Sequence, residues 1–170
     1  WKTAIPGRGW SSPVLWENQI WLTTATPDGK QLTVLCLNAL TGKILHQQKL
    51  FDVAEPQFAH KFNSYASPTP VIDSDHIYCH FGTYGTFCIH RKSGELVWQR
   101  KLPLVHSVGP GSSPFLLKQM LVLIQDGVER QYVTALDKAT GKTLWEVDRP
   151  EMDAPTGDQK KAYSTPIAIK

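Results

Sequence analysis

Residues 135–145 read Ala-Leu-Asp-Lys-Ala-Thr-Gly-Lys-Thr-Leu-Trp. Two earlier stretches repeat the pattern, Cys-Ile-His-Arg-Lys-Ser-Gly-Glu-Leu-Val-Trp at 88–98 and Cys-Leu-Asn-Ala-Leu-Thr-Gly-Lys-Ile-Leu-His at 36–46. The three align without gaps on Gly42, Gly94 and Gly141, which are 52 and 47 residues apart. Upstream, Pro13, Pro70 and Pro114 each precede an apolar pair, and seven residues after each proline the next apolar strand starts at Ile20, Ile77 or Leu121. A fourth copy opens at Ser164-Thr165-Pro166. Self-similarity at a fixed period comes before every other signal, because one supersecondary unit, stacked on its neighbours, dictates the architecture.

Each unit reads as four short strands. The first follows the proline (13–16 in the opening unit), and a polar turn leads into the second at 20–25, 76–82 and 120–125. These second strands are rich in Ile, Val, Tyr, Trp and Thr, as half-buried strands are. A hairpin follows at Pro27-Asp28-Gly29, Gly82-Thr83-Tyr84-Gly85 or Asp126-Gly127, residues suited to tight turns. The third strand (32–38, 86–90, 131–137) runs into a Thr-Gly or Ser-Gly turn whose glycine can take positive φ, and the fourth spans 43–50, 95–101 and 142–148. No helical period is present. The fold expected is all-β, a β-propeller of four-stranded antiparallel blades. The blades fall near 11–50, 66–102 and 112–149, with the start of a further blade at 163–170. That is about three and a half blades of a larger propeller of about 7–8 blades.

The 170 residues are 19% charged with a net charge of +3, and basic residues never cluster beyond pairs such as Lys160-Lys161, which argues against nucleic acid as a partner. No apolar run reaches the roughly 18 residues of a membrane-spanning helix. The chain opens on Trp1 rather than Met, so it is expected to be a piece of a longer protein. An arc of blades leaves apolar interblade faces open, which favours partnership with the remaining blades of the same protein or another copy of the chain. Cys36 and Cys88 share one repeat position with Ala135, and Cys79 shares another with Leu22 and Leu123, so all three read as small core residues.

Ala135, Asp137, Thr140, Gly141, Lys142 and Trp145 resemble the tryptophan-docking motif of the PQQ-like (quinoprotein/BamB-type) β-propeller repeat family. The likeness covers about residues 10–169, and the Ser-Ser-Pro and Ser-Thr-Pro stretches look closer still to PQQ-binding-like repeat propellers of planctomycete-type bacteria. The resemblance implies that Trp98 and Trp145 staple neighbouring blades at the turns of Gly42, Gly94 and Gly141. His46 departs from the motif, which weakens one staple or marks a different packing partner. The resemblance also implies a periplasmic or extracellular location.

Chemistry is sparse. A quinoprotein would need PQQ, Ca²⁺ and a set of carboxylate and amide ligands. The chain lacks the adjacent-cysteine pair typical of those enzymes and any acidic cluster with ligand spacing, so no cofactor, metal or catalytic residue is predicted. Asp73, Asp75, Asp126 and Glu129 are expected to be solvated turn residues. Gly7-Arg8-Gly9 and Gly109-Pro110-Gly111 are incomplete as nucleotide-binding loops. What remains is the set of crossings from each fourth strand back to the axis. They carry Arg8 and Trp10, then His60, Asn63 and Tyr65, then His106, then Lys161 and Tyr163. Polar and aromatic groups converging near an axis make a small-molecule or peptide site. The function expected is therefore a non-enzymatic binding or scaffolding propeller segment that contacts a protein partner or small polar ligand through axis-facing loops. The alternative is a segment of a PQQ-dependent oxidoreductase whose cofactor and metal residues lie outside these residues.

Overall fold

The computed structural model describes residues 1–169 as three four-stranded antiparallel sheets, one per repeat. The first blade comprises β1 (Val14–Trp16), β2 (Gln19–Ala25), β3 (Gln31–Asn38) and β4 (Ile44–Asp52). The second comprises β5 (Val71–Ile72), β6 (His76–His80), β7 (Thr86–His90) and β8 (Leu96–Arg100). The third comprises β9 (Phe115–Leu117), β10 (Met120–Asp126), β11 (Gln131–Asp137) and β12 (Thr143–Asp148). Spatial order follows chain order in every sheet. Between β6 and β7 the hairpin tightens into a 3₁₀ turn at Gly82–Tyr84.

The core lies between blades rather than inside any one of them. Ile77, Cys79, Phe87 and Ile89 of the middle blade pack with Trp21, Leu32, Val34 and Cys36 of the first. Their strand neighbours Tyr78, Cys88 and Trp98 point the other way and pack with Leu121, Leu123 and Leu136 of the third. The alternation that usually separates core from solvent here separates two cores. The middle strands are therefore buried on both faces rather than half-buried, and β12 is exposed throughout. The three cysteines are free and buried, and burial pushes the Cys36 and Cys88 thiols up to about 12.

A β-bulge recurs at one repeat position in all three blades. The third-to-fourth strand register slips between Cys36 and Leu37, Cys88 and Ile89, and Ala135 and Leu136. Directly across from the small residue before each slip stand His46, Trp98 and Trp145. The extra residue kinks the outer strand, and such kinks re-aim a side chain. The Trp98 ring thereby reaches the turn of the next blade, where it covers Gly141 and its indole N–H donates to the Lys138 carbonyl at 2.9 Å. Gly141 has φ +70°, and no side chain could occupy the space the ring fills.

Trp1 repeats this geometry on the first blade. Its ring covers Gly42 and its N–H donates to the Ala39 carbonyl at 3.1 Å, again three residues before the glycine. His46 occupies the same place over Gly94. The smaller imidazole is backed by the buried Trp21, stacked at 5.9 Å with 18° between the planes. The packing partner thus differs at this junction, Trp21 supplying the ring area that His46 lacks. Trp145 faces none of these three turns and is 38% exposed, against 8% for Trp98.

Charged groups near these turns also bridge blades. Arg91 is buried, donating through Nε to the Ser74 carbonyl at 3.0 Å and through Nη1 to Gln19 Oε1 at 2.9 Å and Glu17 Oε2 at 3.2 Å. Lys138, at the same repeat position, donates to Asp73 Oδ2 at 2.9 Å. Asp73 was expected to be solvated. It is instead partly buried and accepts from Lys138 and from the Asp75 and His76 amides, bonds that hold its carboxyl below the usual range against the opposing effect of burial. Arg91→Met is expected to cost about 1–3 kcal/mol, because Gln19 and Ser74 lose a charged donor. The exposed Glu17 contributes little to that figure. A urea midpoint equal to wild type would refute the assignment.

At the axis, each residue before a repeat proline is Ser or Thr, and together they form a ladder. The Ser12 amide donates to Thr69 Oγ1 at 3.0 Å, the Thr69 amide to Ser113 Oγ at 2.9 Å, and the Ser113 amide to Thr165 Oγ1 at 3.3 Å. Residues 163–169 form no strand, yet Thr165 takes its rung in register with the three blades.

Candidate functional site

The hairpins after β2, β6 and β10 share one end of the arc with the crossings that return to the axis. Each crossing is seated by a ring on a glycine. Tyr65 covers Gly29, His106 covers Gly82 and Tyr163 covers Gly111. Tyr65 also donates its hydroxyl to the Gln57 carbonyl at 2.9 Å. Asn63 ties one crossing to the next, its amide donating to the Val108 and Pro110 carbonyls at 2.9 and 3.1 Å while its Oδ1 accepts from Ser64 N at 2.8 Å. Lys161 has a buried side chain whose ammonium donates to Ser107 Oγ at 2.5 Å and Asp158 Oδ1 at 2.9 Å. Asn63, Tyr65, His106 and Lys161 therefore hold the loops in place.

The exposed groups are different ones. His60 lies between Phe58 and Phe62, with ring centroids at 6.4 and 5.1 Å, and Phe62 is 81% exposed. His60, Phe62, Asn63, Val108 and Tyr163 wall an open cleft of about 470 Å³. Beside it, Arg8, His60, Asn63 and Tyr65 converge on a hollow of about 90 Å³. A third, deeper cavity of about 20 Å³ is lined by His80, His106, Asp126 and Tyr163. Arg8, His60, Asn63, Tyr65, His106 and Tyr163 line these recesses and Lys161 is buried, while Trp10 lines a further open hollow on the first blade with Arg8, Ile5 and Leu22.

Sequence reasoning missed Asp126. Expected in water, it is 8% exposed, bonded through Oδ2 to the Arg149 guanidinium and, at 2.7 Å, to the Ala162 amide. Its Oδ1 is buried without a hydrogen-bond partner. The signal was an Asp-Gly hairpin with an arginine closing the neighbouring strand, so that the returning crossing covers both. Glu129 is likewise engaged, its carboxylate accepting the Val105 amide at 3.0 and 3.2 Å.

The two histidines at the deep cavity are neutral. Burial, and then the neighbouring His106, lower His80 to about 3. Burial and the charge of Lys161, opposed by Glu129, lower His106 to about 4. His106 Nε2 accepts the Thr83 amide at 3.0 Å, so its proton sits on Nδ1. His80 bonds Thr86 Oγ1 at 2.8 Å and Gln125 Nε2 at 3.3 Å. In the unfolded chain both rings protonate near their ordinary 6.5, before the folded rings do. Their stabilising contribution is therefore whole above that value and declines as pH falls toward about 4 and 3. Urea unfolding from neutral pH down to mild acid should show the decline, with both imidazoles still neutral by NMR in the folded state. Protonation of either ring at mildly acidic pH without unfolding would contradict this.

Calcium takes 6–8 oxygen ligands, and among the described residues no group of three or more His, Cys, Asp or Glu side chains is placed to hold a metal ion. The acid at the deep cavity is Asp126, already paired with Arg149.

Comparison with solved structures gives the fold. A europium-containing methanol dehydrogenase superposes with a TM-score of 0.61 at 15% identity, over 83% of this chain and 25% of its own. A quinohemoprotein alcohol dehydrogenase from Comamonas testosteroni gives 0.61 at 16% identity, over 91% of this chain and 23% of its own. BamB from Moraxella catarrhalis gives 0.53 at 17% identity, over 86% of this chain and 41% of its own. The chain thus spans about a quarter of the dehydrogenases' length and two fifths of BamB's. No curated protein matches it. The family model described as "Outer membrane protein assembly factor BamB" matches residues 1–107 and again 30–165, nearly the whole sequence in two overlapping passes, and the protein belongs to that β-propeller repeat family.

Proposed function

We propose that the chain is a non-enzymatic binding segment of a larger propeller, holding a protein partner or a polar ligand at its axial face. The observation that carries this reading is the surface around His60. Phe58, Phe62 and Tyr163 stand exposed on loops that Asn63, Tyr65, His106 and Lys161 fix in position. Exposed aromatics on a pre-organised scaffold supply contact area at low entropic cost. The open interblade faces are completed by further blades, from the same protein or another copy. The family's description, a factor in outer-membrane protein assembly, supports a protein partner and a periplasmic or extracellular location.

Photo-crosslinking tests the proposal. A benzophenone residue in place of Phe62 should capture a discrete partner, and one in place of Leu40, exposed on a docking turn at the opposite end, should not. Phe58→Ala with His60→Ala, beside the crosslinker at position 62, should abolish capture at unchanged thermal stability. Equal capture from both positions, or none from position 62, would sink the reading.

A further inference from the structure

The hollow of about 90 Å³ is walled by Arg8, Thr26 and Pro27 of the first blade and by the crossing that follows β4. Its formally charged wall residues are Arg8 and Lys61, both cations, and no carboxylate lines it. Neither cation forms an ion pair among the described residues. Asp28, in the adjoining hairpin, already accepts from Thr26 Oγ1 at 2.5 Å and from the Lys30 amide at 3.1 Å. His60 adds a further donor, because its Nδ1 accepts the Phe62 amide at 3.3 Å, which leaves Nε2 to donate. The other polar side chains of this crossing are consumed, Asn63 on the Val108 and Pro110 carbonyls, Ser64 on Ser67 and Tyr65 on the Gln57 carbonyl. Unspent donors and positive charge with no anion beside them are what an oxyanion needs for recognition.

The backbone on both sides is pinned. Arg8 and Ala25 exchange amide-to-carbonyl bonds at 2.7 and 2.9 Å, and the His60 amide donates to the Val108 carbonyl at 3.2 Å. Size narrows the occupant, because 90 Å³ takes a group of a few heavy atoms and excludes a fused ring system. The open cleft adjoins the hollow across His60 and Asn63, which wall both, and there Phe62, Val108 and Tyr163 offer apolar surface. The Lys61 ammonium stands 5.2 Å from the Phe62 ring centroid, so a cation and an exposed ring are presented together. Neighbouring side chains of a polypeptide match that pairing, whereas a free small anion leaves the ring unused. We infer that the hollow takes the carboxylate of an Asp or Glu on the protein partner, with an apolar side chain of the same segment on Phe62. The inference rests on the axial-face reading above and names the chemistry of the partner.

The test titrates acetyl-Glu-Gly-Phe-amide, acetyl-Gln-Gly-Phe-amide and acetate into the full chain at low salt, following the amide resonances of Arg8, Lys61 and Asn63. The Glu peptide should shift all three saturably, bind at least about fivefold more tightly than the Gln peptide, and lose that margin as salt is raised. Arg8→Gln with Lys61→Gln should bring the two peptides to equal affinity, and since both side chains are exposed the variant should melt with the wild type. If it does not, the contrast between Glu and Gln peptides on the wild type decides. Acetate binding as tightly as the Glu peptide would overturn the partner assignment in favour of a free small carboxylate. Equal affinity of the two peptides for the wild type, or a Glu preference that survives in the folded double variant, would overturn the inference outright. Such a result alongside a crosslinked partner at position 62 would remove the charge assignment alone and leave the binding face standing.

Discussion

Trp98→Ala should lower the free energy of unfolding by about 3–5 kcal/mol, the range for emptying a buried aromatic site. The ring is packed between Tyr78, 6.2 Å away, and the Gly141 turn, so truncation opens a cavity at the junction of two blades rather than inside one. It also removes the indole donor from the Lys138 carbonyl. Trp145→Ala provides the control, because the same side chain on the third blade covers no turn and is 38% exposed. Its expected cost is smaller, about 1–2 kcal/mol, since over a third of that area stays in water and no cavity opens between blades. Denaturant unfolding of the two variants measures the difference directly. Equal costs would mean that Trp98 contributes as an ordinary strand residue.

Gly141→Ala should cost about 2–4 kcal/mol, combining left-handed backbone strain with a steric clash. An alanine Cβ there would stand 2.6 Å from the Trp98 ring at φ +70°. Gly94→Ala carries the same backbone strain at φ +76°, but the neighbour at 2.9 Å is the smaller His46 imidazole. About 1–2 kcal/mol is expected at that position. The decisive measurement is the double variant. With Trp98 already alanine, Gly141→Ala should lose its steric share and fall to the cost of Gly94→Ala, a coupling that distant sites do not show. Strict additivity would remove the contact from the explanation.

Most of the fold was legible because the repeat supplied internal comparison where a single blade would have been ambiguous. The glycine turns, the prolines before each first strand and the strands between them emerged from spacing alone, and nearly every observed boundary lies within two residues of the expected one. Burial was less legible. The residue types of the second strands suggested half-burial, whereas in β6 Ile77 and Cys79 pack into one core and Tyr78 into the other. That error follows from stacking, because a sheet between two others has no solvent side. Trp1 had no assignment in isolation, yet it precedes Gly42 by 41 residues, close to the 43 that separate Trp98 from Gly141.

The site divided along similar lines. The axial crossings were identifiable from connectivity, since a chain that leaves a blade at its rim must return to the axis. Which of their residues face a ligand was not, because Asn63 and His106 look like binding groups in sequence and are consumed by backbone carbonyls and amides. Asp126 was hidden by the opposite effect. An Asp-Gly hairpin ordinarily faces water, and only the return of Arg149 and Ala162 over it makes a buried carboxylate.

The hydroxyl ladder at the axis has a direction. Every rung gives its amide forward and takes its neighbour's amide on its hydroxyl, so Ser12 still offers an oxygen and Thr165 still offers an N–H among the described residues. An incoming unit in the same orientation, with Ser or Thr before its proline, extends the series at either end, whereas an inverted one sets donor against donor. The arrangement therefore encodes a sense of rotation without encoding a number. A duplicated unit can be spliced in at any rung and find both of its partners waiting, so that circumference can change by gene duplication while the grammar of the hub stays the same.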